Sequence, residues 1–370
     1  MKVVIRSDAS LAIGSGHVMR CLTLADELSM RGVKVSFICR ELPGQMIDQI
    51  EGRKGYPTAR LPQPEAEYVA MPEDVAHAIW LCVSWERDAV DTIKALGDSK
   101  PQWLIIDHYA IDQRWEEKLR PYVGKIMVID DLADRQHDCD LLLDQNLYDG
   151  LDTRYSGLVP ETCTKLLGPH YALLRPEFAE AHKNLRQRDG NINKVLVFFG
   201  GVDPSNETEK ALQALSVIND RMLEVDVVVG ISNLHKEQIQ CFCASREGFN
   251  YHCQIDNMAE LLVSADLAIG AGGTATWERC YLGLPSISIV IADNQYEITK
   301  AVAAAGGTVC LGYCSNVNAE DIATTLRHLL KNPLNARDMG KRALSIMGSG
   351  PSQKNRILVD VIIGDGHAKA

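Results

Sequence analysis

Apolar segments of strand length recur along this chain, alternating with stretches at helical spacing, and no other feature narrows the fold as far. In the first half they are Val3–Ile5, Val33–Cys39, Trp103–Ile106, Ile126–Ile129 and Leu141–Leu143. A strand with one solvated face would alternate apolar and polar residues. Near-continuous apolar runs instead predict a parallel sheet covered on both faces. Between the first two runs, Val18, Cys21, Leu22, Ala25 and Leu28 mark an amphipathic helix, and Gly32 supplies its stop. Asp112 is placed to cap a helix carrying Trp115 and Leu119.

The stretch Ala181–Asn193 is polar, basic and short of large apolar residues, and reads as a linker. After it the pattern restarts. Strands are predicted at Val195–Phe199, Val225–Val229, Leu267–Ile269 and Ile287–Ile291. Helices are predicted at Glu207–Leu215, Met258–Val263, Thr274–Tyr281 and Tyr296–Ala304. The expected fold class is α/β: two facing, doubly wound, Rossmann-like domains with a cleft between them. The expected division is 1–180 and 194–350, with 351–370 as a C-terminal helix and tail.

Acidic residues outnumber basic ones, 49 to 38, giving a net charge of -11. Coating a polyanion needs a basic surface, so nucleic acid is excluded as a partner, while a small anionic ligand in one positive pocket is not. Eleven cysteines are scattered with no C-x-x-C pair, which removes zinc ribbons and thioredoxin-like motifs. Free thiols in a reducing cytoplasm are the expectation. Met1–Ser10 carries Arg6 and Asp8, so no signal peptide is expected there. No apolar run approaches membrane-spanning length, and no membrane partner is expected.

The strongest local motif is the loop from Arg6 to His17. Gly14 and Gly16 let backbone approach a ligand, and the following helix start favours anions. Met19 stands where a dinucleotide fingerprint needs its third glycine. His17 falls at the carboxyl edge of the sheet, where ligands of open α/β folds bind. The adjacent helix dipole favours the neutral imidazole that a general base requires. A histidine that merely packs is the alternative.

A second turn, Leu267 to Glu278, contains Gly270, Gly272 and Ala275 in the dinucleotide spacing, which keeps an NAD-linked oxidoreductase open. The plainer reading is a diphosphate on the turn's backbone N–H groups, with Glu278 one helical turn along for ribose hydroxyls. A tight crossover with no ligand is the third. In the turn Gly200–Asn206, Ser205 or Asn206 is expected to cap the next helix. Asp138–Asp140 and Asp130–Asp131 form acidic pairs, but nothing nearby completes an oxygen cage, so no metal is expected. In Asp107–Tyr109, His108 reads more readily as a satisfied strand end than as a second acid or base.

Taken in order, these segments resemble the hydrolases of pseudaminic acid biosynthesis, which remove UDP from UDP-2,4-diacetamido-2,4,6-trideoxy-β-L-altropyranose. The resemblance runs through RSDASLAIGSGHVMRCLTLADEL, Ile106–Ala110, His137–Asp140, Tyr171–Phe178, Phe199–Asp203, the turn ending at Glu278, and Asp293–Gln295. It implies a glycosyltransferase-B fold and a UDP-sugar substrate, with no cofactor. It makes His17 the general base beside Gly16, with Tyr109 and Asn294 as active-site neighbours and Arg175 as a substrate contact. Glu278 becomes the ribose ligand, Gly272, Gly273 and Thr274 lie near the diphosphate, and the backbone at Met258 meets uracil. The chain departs from the pattern in the turn Gly-Ala-Gly-Gly-Thr-Ala, serine-rich in the family, and in the helical stretch Asn318–Ala370. A glycosyltransferase with an acceptor hydroxyl in place of water, and a sugar-nucleotide binder without turnover, are the competing readings.

Overall fold

The computed structural model describes residues 1–52, 55–218, 223–348 and 351–364. The chain forms two compact units. The first comprises Met1–Asn146, Gly150–Leu173 and the chain from Gln353. Its strands are β1 (Lys2–Ser7), β2 (Lys34–Arg40), β3 (Thr58–Leu61), β4 (Trp103–Asp107), β5 (Lys125–Ile129), β6 (Leu141–Asp144) and β7 (Thr164–Leu167). They lie in the order β3-β2-β1-β4-β5-β6-β7, all parallel. Helices cover both faces, as the continuous apolar runs require. Val3, Ile5 and Ile105 enter one core; Val4, Leu104 and Ile106, one residue out of phase, enter the other.

The second unit comprises Leu174–Ser352 with Leu147–Asp149. Its strands are β8 (Lys194–Phe198), β9 (Glu224–Val229), β10 (Phe249–Cys253), β11 (Leu267–Ala271), β12 (Ser286–Val290) and β13 (Val309–Tyr313). The order is β10-β9-β8-β11-β12-β13, again all parallel. In both sheets the strand order reverses beside the first strand. Doubly wound folds bind ligands at the carboxyl ends of the strands at such a reversal. Gly270 permits the close approach of β11 to β8, since a Cβ there would stand 2.3 Å from the Phe198 carbonyl oxygen.

The chain passes from one unit to the other after Leu173, ahead of the polar stretch 181–193. That stretch is bound tightly to the second unit. The Arg186 guanidinium donates to the Val263, Ser264 and Ala265 carbonyls, and that of Arg188 to Leu262 and Leu282. Both cations therefore satisfy carbonyls around the ends of the helices Met258–Ser264 and Ala275–Tyr281, where the helix dipole favours positive charge. The C-terminal helix Pro351–Ile363 packs on the first unit, with Leu358, Val359 and Ile362 in its core. The Trp103 indole N–H donates to the Ile362 carbonyl at 2.9 Å.

Leu358→Ala should therefore lower the stability of the first unit by about 2–5 kcal/mol, the usual loss for a buried leucine. Urea unfolding followed by tryptophan emission measures it.

Candidate active site

In the first unit the chain leaves β1 at Ser7 and enters the helix Gly16–Met30 through a short, braced loop. Asp8 accepts from the Arg6 guanidinium at 2.6 Å and from the Arg40 amide at 2.7 Å. Asp88 binds the guanidiniums of both arginines, each at 2.7 Å. These four groups are buried, and each charge has a partner, which is the condition for tolerating them there. Further along, the Gly14 amide donates to the Ser10 carbonyl, and Gly14 takes a φ of +79°, left-handed backbone that suits glycine. A Cβ on Gly16 would meet nothing within 4 Å, so protein packing does not demand this glycine.

His17 lies in the first turn of that helix. The β1–β4 register sets Ser7 beside Asp107, so the end of β4 comes up against this helix start. His17 Nδ1 lies 2.5 Å from Asp107 Oδ1. Arg20, one turn along the helix, clamps the same carboxylate through Nε at 2.6 Å and a terminal nitrogen at 2.7 Å. Burial pushes the Asp107 carboxyl up, but Arg20 and His17 outweigh it and hold it well below the usual carboxylate range. An ionised carboxylate only accepts, so the hydrogen bond puts a proton on His17 Nδ1. In the neutral tautomer that this selects, Nε2 carries the lone pair.

Arg20 also reaches Asp131 at 3.1 Å. Asp131 accepts from the Tyr109 hydroxyl and from the Asn146 side-chain amide. Burial and Asp131 push the Tyr109 phenol well above its ordinary value, so it remains a donor. The Tyr109 ring stands edge-on to His17, with centroids 4.5 Å apart. His108 turns the other way. Its Nδ1 accepts from the Ala110 amide, its Nε2 lies 3.4 Å from Asp8, and burial lowers its pKa. It is held within the fold at the strand end, facing Asp8 rather than His17.

In the second unit, Gly272, Gly273 and Thr274 follow β11 and lead into the helix Ala275–Tyr281. Gly272 is demanded by packing, because a Cβ there would meet the Thr299 hydroxyl at 1.9 Å. Gly273 sits under the Gln295 side chain, and Thr274 is exposed. Asn294 lies in the turn after β12, so the turns after β11 and β12 abut. Met258 opens its helix and lines a small cavity with Leu262, Ala275, Glu278 and Arg279. Arg175 contacts Glu278 at 3.4 Å and Glu177 at 3.0 Å. Burial raises the Glu278 carboxyl, and Arg175 opposes the shift. The cap of the helix Glu207–Ser216 differs from expectation. Asp203, not Ser205 or Asn206, accepts from the Glu207 and Thr208 amides at 2.9 Å, because Asp203 and Asn206 both adopt left-handed backbone and fold the turn back on itself.

The structure thus gathers His17, Gly16 and Tyr109 at one sheet edge. Arg175, Met258, Gly272, Gly273, Thr274, Glu278 and Asn294 are found in the second unit. Sequence reasoning missed Arg20, His77 and Trp80, and named Asp107 and Asp131 only as members of a strand-end motif and an acidic pair. Arg20 had a signal, three residues from His17 on one helix face. Asp107 and Asp131 had another, standing at or just past the ends of neighbouring strands. Asp138 and Asp140 are paired with Arg120. Among the described residues, no group of His, Cys, Asp and Glu could hold a metal ion, and no helix is long and apolar enough to cross a membrane.

Residues 195–354 match the Glycosyltransferase family 28 C-terminal domain. The chain is 29% identical over 307 residues to the UDP-2,4-diacetamido-2,4,6-trideoxy-beta-L-altropyranose hydrolase of Campylobacter jejuni, covering 83% of this chain and 97% of that one. The resemblance drawn from the motifs therefore holds over most of the sequence. It is 26% identical over 303 residues to an uncharacterised protein of Methanocaldococcus jannaschii, covering 80% of this chain but only 57% of that one. Among solved structures, MurG of Acinetobacter baumannii aligns with a TM-score of 0.62 at 16% identity, over 98% of this chain and 99% of that one. That likeness is one of fold, and the fold is glycosyltransferase-B, as expected from the sequence.

The network beneath Asp131 has a pH signature. The Asn146 amide donates to Asp144 at 2.9 Å, and burial with Asp131 nearby raises the Asp144 carboxyl to about 8. In the unfolded chain this group titrates near ~3.9. Between those values the native state holds the extra proton, so its contribution to stability is full below ~4 and is lost as pH rises through about 8. Asp130, lowered to about 2 as Arg135 outweighs burial, titrates below that window. Asp144→Asn should flatten the fall in unfolding free energy between pH ~4 and ~8, read from urea unfolding at a series of pH values.

Proposed function

We propose that this chain is a nucleotide-sugar hydrolase. In this reading it releases UDP from a UDP-linked diacetamido-trideoxy sugar of the kind named for the Campylobacter jejuni relative, and serves pseudaminic acid biosynthesis. The observation that carries the reading is the hydrogen bond from His17 Nδ1 to a clamped, ionised Asp107. It turns the unprotonated Nε2 into a base for water. The oxygen of that water bonds to the anomeric carbon as its proton passes to Nε2. The bond from that carbon to the phosphate oxygen breaks, and UDP leaves with the electron pair. Attack opposite the leaving group inverts the anomeric centre. No step requires a metal or cofactor.

The second unit takes the nucleoside diphosphate in this reading. Backbone N–H groups around Gly272, Gly273 and Thr274 face the phosphates, oriented dipoles that need little net positive charge. Glu278 takes the ribose hydroxyls, the backbone at Met258 takes uracil, and Arg175 and Asn294 supply further contacts. Buried free thiols such as Cys21 and Cys39 fit a reducing, cytoplasmic setting. A second reading, transfer to an acceptor hydroxyl, is favoured by the glycosyltransferase match of residues 195–354.

His17→Asn should bind UDP normally and lose about 10²- to 10⁴-fold in turnover, the usual contribution of a general base. Stopped assays with calorimetric UDP titration measure both, and near-normal turnover would contradict the assignment. Asp107→Asn should also lower turnover while leaving UDP affinity unchanged, because its amide cannot hold the same imidazole tautomer.

A further inference from the structure

Residues 62–84 join β3 to the helix Trp85–Leu96, a long connection for an α/β unit. Loops of this length inside compact domains usually carry function. This one is held in place. The Tyr68 hydroxyl donates to Asp74 at 2.5 Å, and the Met71 amide donates to the same carboxylate. Ala78 and Leu81 of its single helical turn are buried in the core of the first unit, and Ser84 caps the next helix.

The bracing directs two rings at the catalytic histidine. Trp80 stacks on Tyr109 with centroids 5.5 Å apart and planes 26° from parallel. His77 packs 4.6 Å from Trp80 and 5.5 Å from Tyr109. Trp80 approaches His17 edge-on at 6.3 Å. Trp115, by contrast, is fully buried, whereas Trp80 and His77 stay half-buried. In the loop after β1, a Cβ on Gly14 or Gly16 would meet nothing within 4 Å. Burial lowers the His77 pKa, so its ring is neutral near pH 7. A wall of neutral aromatic rings suits the apolar part of a ligand rather than its phosphates.

We propose that Trp80, backed by His77, is a specificity wall for the sugar, taking the C–H face and methyl groups of a deoxy, acetamido-bearing pyranose beside His17. Aromatic faces favour such C–H groups, and a sugar bearing a 6-hydroxyl would present a polar group to the same ring. The inference rests on the hydrolase reading only in placing the sugar next to His17.

The test compares UDP-2,4-diacetamido-2,4,6-trideoxy-β-L-altropyranose, UDP-N-acetylglucosamine and UDP itself. Trp80→Ala should raise KM for the diacetamido-trideoxy substrate roughly tenfold, the order one aromatic contact supplies, with kcat little changed and UDP affinity unaltered. Trp80→Phe should recover most of the loss. Ile79→Ala, on the same turn but 54% exposed, should behave as the unmodified protein and so controls for disturbance of the loop. Quenching of tryptophan emission by the sugar nucleotide beyond that by UDP should disappear in Trp80→Phe. An unchanged KM in Trp80→Ala, or equal weakening of UDP, would overturn the proposal. If the unmodified protein releases no UDP, the hydrolase reading fails by itself. Calorimetry then still decides the wall: the added affinity of the diacetamido-trideoxy nucleotide over UDP and over UDP-N-acetylglucosamine must be present and must vanish in Trp80→Ala.

Discussion

The Asp107 carboxylate, buried and charged at the end of β4, is the group on which the rest of the first unit's site depends. Isolated, such a charge would cost several kcal/mol. Arg20 makes it tolerable with two hydrogen bonds, and the same arginine extends to Asp131, which in turn fixes Tyr109 and Asn146. The arrangement requires β1 and β4 to be parallel neighbours, because only then does the helix after β1 start beside the end of β4. Sheet topology and the pairing of these buried charges are one constraint here. A second buried cluster, Arg6, Asp8, Arg40 and Asp88, fixes the loop between strand and helix. Both clusters share the property that every charge has a partner.

The second unit uses different means at its corresponding edge. Its glycine turn is shaped by close backbone and hydroxyl contacts at Gly270 and Gly272, which leave Gly273 and Thr274 as the accessible part. Two glycines that looked like ligand signals in the sequence are therefore largely accounted for by packing. Glu278 is held by Arg175, so a ribose on that carboxylate must share or displace the arginine.

Nine strands were legible in the sequence, and they are the nine interior strands of the two sheets. The four that escaped notice, β3, β7, β10 and β13, are the four edge strands. Edges are half-solvated, so Thr58–Leu61 and Phe249–Cys253 lack the continuous apolar run that marks a buried strand. The Asp112 cap was legible because it is local, as the Arg114 amide bond confirms. The role of Arg186 and Arg188 was not, because a basic, polar stretch looks alike whether it is solvated or bound to helix ends. His17 was found from its place in a loop. Arg20 and Asp107 become meaningful only once strand register sets them side by side. Trp80 and His77 gave no periodic signal at all, since a braced irregular loop has none.

Whether water is the nucleophile decides the proposed function. Purified protein incubated with UDP-2,4-diacetamido-2,4,6-trideoxy-β-L-altropyranose, without any acceptor, can be followed by chromatography for UDP and by NMR for the anomeric proton. Hydrolysis by inverting attack yields stoichiometric UDP and free sugar, with the first-formed anomer inverted. UDP release only after an acceptor is added, or a first-formed anomer of retained configuration, would contradict it.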